Sequence, residues 1–137
     1  MTLREFLMRS ALSVSNIQRE DGSFPASDGG VYSITETPVR STARWLEIFT
    51  NIYEAEEDEI FLERANLAAD YLVSDESIPE GNTFYIRKTG KDHCDGLVGQ
   101  ASPIKSLARA GDTFNRPELL RTAKEVFSRI PFDTSLG

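Results

Sequence analysis

Residues 37–73 read TPVRSTARWLEIFTNIYEAEEDEIFLERANLAADYLV, and the parsing of this stretch decides the fold. Val39, Ala43, Leu46, Phe49, Ile52 and Tyr53 recur every three or four positions, so they share one face of a helix. Thr37-Pro38 supplies its N-cap and first helical residue. The acidic run EAEEDE reads as a solvated turn. Its carboxylates favour the positive N-terminal end of a second helix, from about Glu59 to Val73, with Phe61, Leu62, Ala65, Ala69 and Leu72 inward.

The pattern returns about 58 positions later, without a gap. Leu97 falls at Val39, Ala101 at Ala43, Ile104 at Leu46 and Leu107 at Phe49; Leu119, Leu120, Ala123 and Ile130 repeat Phe61, Leu62, Ala65 and Leu72. The first helix of this second hairpin starts near Leu97 or at Ser102-Pro103 and ends at Gly111. The second is expected to be capped by Asn115, with Glu118 at the capping-box position, and ended by Pro131. Upstream, Thr2-Leu3-Arg4-Glu5 is a capping box that opens a helix to about Gln18. Its FLMRSALSVSNI lays over FLERANLAADYL, as the second helix of an earlier hairpin. TFYIRK (83–88) reads as a short strand. The expected fold is all-α: about five helices, two antiparallel hairpins plus one helix, in a single domain over residues 1–137.

Composition narrows the function. The chain has 137 residues, 39% hydrophobic and 27% charged, which is globular. A net charge of −7 argues against nucleic-acid binding, which rests on neutralised phosphates. No apolar run approaches a membrane span and the start does not read as a signal peptide, so the expected compartment is the cytoplasm. One cysteine excludes an internal disulfide framework.

Loops alternate short and long, and the long ones share one end of such an array, the natural functional face. Asp21, Asp28, Glu36, Tyr85, Arg87, His93 and Asp95 fall there.

Alternating helices with long loops at one end resemble an α/α toroid, the ring of hairpins found in six-hairpin glycosidases, sugar epimerases, terpenoid cyclases and lanthionine cyclases. Gln18-Arg19-Glu20-Asp21-Gly22-Ser23-Phe24 is similar to the Q-x-x-x-G-x-W repeat of triterpene cyclases, with Phe24 at the tryptophan. In that family the glutamine ties a helix end and the aromatic packs on it. Asp95 to Asp133 looks like hairpins of sugar-active toroids, where a GxxxGQA turn enters an inner helix and an RPELL turn an outer one. The aspartate-rich acid motif of terpene cyclases is absent, as is the second cysteine of the lanthionine cyclases' zinc site. About two and a half hairpins make an incomplete ring, whose apolar edge implies a homo-oligomer.

The resemblance implies a carbohydrate-active protein, or part of one, of the hydrolase, lyase or epimerase class, with a saccharide ligand and no cofactor. The alternative is a non-catalytic helical-repeat protein that binds itself or a partner through its apolar edge. Glycoside hydrolysis needs two facing carboxyls, so Asp95, Asp21 and Asp28 are the catalytic candidates, with His93 beside them. Their structural alternatives are a helix cap for Asp95 and ordinary turns for Asp21 and Asp28. Glu36, Arg40, Trp45, Tyr85 and Arg87 are candidate saccharide contacts; core packing is the alternative for Trp45 and a solvated face for Arg40. His93 and Cys94 are two ligands where zinc needs three or four, and neighbours in an extended chain point apart, so no metal site is assigned. Gly29-Gly30 lacks the strand and G-K-[ST] of a phosphate loop.

Overall fold

A computed structural model describes residues 1–26, 35–90 and 92–130. Among these residues there are five α-helices and one short 3-10 turn, Pro79–Gly81: α1 (Leu3–Ser15), α2 (Val39–Glu56), α3 (Glu59–Leu72), α4 (Gly96–Thr113) and α5 (Pro117–Ser128). Asp28, Gly29, Gly30 and Pro131 lie outside the described residues. The all-α expectation holds. None of the helices is long and apolar enough to cross a membrane.

The α1 capping box forms as read: Thr2 Oγ1 accepts from the Glu5 amide, and the Glu5 carboxylate accepts from the Thr2 amide. The helix itself stops at Ser15, before Gln18. Thr37 Oγ1 accepts from Val39 N at 3.3 Å, but Pro38 takes the cap position and α2 starts at Val39, one residue later than read; Asp58 caps α3 by accepting from Ile60 N. In α4, Pro103 is tolerated inside a helix that starts at Gly96.

Three expectations are corrected. Asn115 does not cap α5: it sits in the left-handed region (φ 53°), Arg116 takes the cap position, and Pro117, with no amide hydrogen to satisfy, sets the first turn. Residues 83–88 form no strand; only an isolated bridge, Glu36 to Arg87, pairs this segment with the one entering α2. Leu97 does not point inward as Val39 does. It is 53% exposed and Val98 79%, so this turn presents both side chains outward.

α2 packs on α3, α4 on α5, and α2 on α4. Phe24, Val39, Ala43, Leu46, Phe49, Phe61, Ala65, Leu72, Leu107, Ala110 and Leu119 form the core. Ion pairs show that α2 and α4 run in the same direction: Arg40 meets Asp95, Glu47 meets Lys105 (2.6 Å), and Glu54 meets Arg109 (2.5 Å). The inner pair is thus parallel, with α3 and α5 returning outside, and both inner N-termini open toward the long loops.

Candidate functional site

Two buried phenylalanines anchor the long loops in the same way. Phe24 N–H donates to Thr42 Oγ1 (2.9 Å), and its carbonyl accepts from Ser41 Oγ (3.1 Å). Phe84 N–H donates to Gln100 Oε1 (2.7 Å), and its carbonyl accepts from Gln100 Nε2 (2.9 Å). Thr42 and Gln100 occupy matching positions in α2 and α4. Both phenylalanines are fully buried, so these bonds satisfy backbone groups that water cannot reach. Gln100 Nε2 also donates to the Cys94 carbonyl (2.7 Å), and Gly99 admits that loop: a Cβ there would lie 2.4 Å from the same oxygen.

The QREDGSF segment closes the first loop. Gln18 Nε2 donates to the carbonyls of Gly22 (2.9 Å) and Arg64 (3.0 Å), tying the end of α1 to α3. Gly22 adopts φ +87° with a would-be Cβ only 2.0 Å from the Leu67 carbonyl oxygen, so no other residue fits. Phe24 packs on Trp45 and Phe49.

On this frame four candidate residues converge. Asp95 Oδ2 accepts from Arg40 Nη2, and Asp95 Oδ1 from Arg87 Nη2 at 2.5 Å. Glu36 lies 3.6 Å from Arg40 Nε. Asp95 stands at the N-cap position of α4, yet its side chain makes no cap bond. Its left-handed backbone (φ 55°, ψ 38°) turns the carboxylate to the arginines instead, which corrects the cap reading.

His93 and Tyr85 flank this cluster, with ring centroids 5.3 Å apart. His93 Nδ1 lies 2.7 Å from the Arg87 carbonyl oxygen. A carbonyl can only accept, so Nδ1 carries the hydrogen of this bond, which leaves Nε2 as the ring nitrogen that can exchange a proton. The His93 carbonyl in turn accepts from the Ile86 and Arg87 amides. A cleft of about 220 Å³ opens here, lined by Glu80, Asn82, Thr83, Tyr85, His93 and Cys94 among others.

Cys94 follows His93 at the edge of this cleft. Its thiol donates to Asp92 Oδ1 at 3.0 Å, and that bond, with burial, holds the thiol above its ordinary range. The same bond lowers the Asp92 carboxyl. Among the described residues, no three His, Cys, Asp or Glu side chains group as metal ligands.

The other candidates stand elsewhere. Asp21 Oδ1 accepts from Ser23 N at 2.9 Å, an ordinary Asx turn. Trp45 is half-buried in the aromatic core against Phe24 and Phe49. Sequence reading singled out Asp95, Arg40, Arg87, Glu36, Tyr85 and His93, and the structure brings them together. It missed Gln100, for which the only signal was a lone amide residue directly after a helix-entry glycine.

No family model matches the chain, and no solved structure matches it significantly. It is similar to "Archaeal glycosylation protein Q" of Haloferax volcanii, at 39% identity over 132 residues. The match takes in 96% of this chain and 36% of that protein, so the chain spans about a third of the length of the relative.

Proposed function

We propose that this chain is a carbohydrate-active helical-hairpin protein of glycosylation, or part of one, and that its saccharide-facing surface is the loop end around Asp95. The observation that carries the reading is the convergence of Glu36, Arg40, Arg87 and Asp95 beside the Tyr85–His93 cleft. The chain aligns almost throughout with a protein named for glycosylation, which supports the same class.

In this reading Tyr85 offers a ring face to the apolar side of a sugar, and Glu80, Asn82 and His93 offer polar atoms to its hydroxyls. Hydrolase, lyase and epimerase chemistry all require a group that takes a proton, and His93 Nε2 is the candidate. Asp95 acts one step back. It fixes Arg87, whose carbonyl fixes His93, so Asp95 is a positioning residue.

Saturation-transfer NMR of the whole chain with neutral monosaccharides tests this. Contact signals are expected to fall at least about fivefold in Tyr85→Ala and in Asp95→Asn, and to survive in Trp45→Phe. No saccharide signal at millimolar concentration, or one indifferent to Tyr85→Ala, overturns it.

A further inference from the structure

The internal repeat allows α1 to be compared with α3. With Phe6 laid on Phe61, the α3 stripe Phe61, Ala65, Ala68, Ala69, Leu72 corresponds to Phe6, Ser10, Ser13, Val14, Ile17. Every member of the α3 stripe is fully buried, and α2 is the helix packed on α3. In the first stripe Phe6 is 52% exposed and Ile17 55%, and only Ala11 and Ser15 of α1 are buried. Phe6, Ser10, Ser13 and Val14 instead line a shallow groove of about 430 Å³. A second crevice, about 260 Å³, continues it toward α2 between Leu7, Ala11, Trp45, Ile48 and Ile52. Ile48, 38% exposed, stands in α2 where fully buried Ser106 stands in α4.

We infer that this groove is the docking site of one further inner helix of the α2/α4 type, contributed by polypeptide outside these 137 residues. The α2–α3 hairpin fixes its properties. It runs antiparallel to α1 and parallel to α2. It spans about five turns, as α2 and α4 do. It presents a large apolar side chain to Phe6, as Phe49 does to Phe61 with ring centroids 5.9 Å apart. The relative is nearly three times as long as the matched segment, so a protein of that kind has chain to supply such a helix.

The test joins a second copy of residues 37–57, carrying Trp45→Phe, directly ahead of Thr2 in the whole chain. The short link holds the added helix at millimolar effective concentration. Trp45, the native chain's one tryptophan, then reports the groove. A blue shift of its emission and an at least tenfold slowing of α1 amide exchange are expected in a monomer. Phe6→Asp should abolish both gains while leaving the unextended chain folded. Unchanged α1 exchange with the added helix and with an α4-derived helix overturns the proposal. So does self-association of the unextended chain that Phe6→Asp disperses, because the occupant would then be a second copy.

Discussion

Gln100 shows how one side chain sets a loop. It serves three backbone groups, of Phe84 and Cys94, that its removal would leave buried and unpaired. Gln100→Leu keeps the volume and loses all three bonds, so it should cost about 3 kcal/mol, read as a lower urea midpoint. The same variant should free the Cys94 end of the loop that carries His93. This role was illegible in the sequence because its partners lie in a loop that no periodicity describes. The GQA motif marks a helix entry, but not the backbone it clamps. The cluster at Asp95 was legible in membership and not in arrangement. A carboxylate before a helix suggests a cap, and only the left-handed turn at Asp95 reveals that the side chain faces Arg40 and Arg87.

At the level of elements, the α2–α4 seam combines an apolar interior with a polar ladder along its edge. The lowest rung, Glu54 with Thr113 and Arg109, is exposed. The Thr113 hydroxyl first, and Arg109 second, hold the Glu54 carboxyl below its ordinary 4.5. A carboxyl lowered in the folded state adds stability above its unfolded value and loses it as pH falls through the folded one. Exposure keeps the amount small. Glu54→Gln should therefore shift stability at neutral pH by less than about 0.5 kcal/mol. It should also flatten the loss of stability on acidification below pH 4.5, followed by urea unfolding across the acid range. Helix positions were legible because the 3.6-residue pattern runs through them. Helix ends were less so. Pro117 outweighs Asn115, since a residue without an amide hydrogen suits the first turn better than a capping side chain one place too early.

For the molecule as a whole, the two hairpins and their repeat were readable, because amphipathic spacing is a property of sequence. The exposure of Phe6 and Ile17 on α1 was not, because exposure depends on which neighbour is present. Tyr71 offers a global probe. It lies buried near the C-terminal end of α3, and burial pushes its phenol up to about 12. A phenol raised in the folded state contributes stability that is whole below its unfolded value and lost as pH climbs toward the folded one. Between pH 10 and pH 11 the native chain should lose about 1 kcal/mol more than Tyr71→Phe, measured by urea unfolding at both values.

The shared direction of α2 and α4 has an electrostatic consequence. Two helix macrodipoles lie side by side, each ending in about half a positive charge at the loop mouth. Side by side, such dipoles repel, and the guanidiniums of Arg40 and Arg87 add to the same pole. The carboxylates of Asp95 and Glu36 lie at that pole and neutralise it. In a chain of net charge −7, Asp95 is thus a counter-ion to a small cationic mouth, and replacing it with a neutral residue would turn that mouth into a place where anions gather.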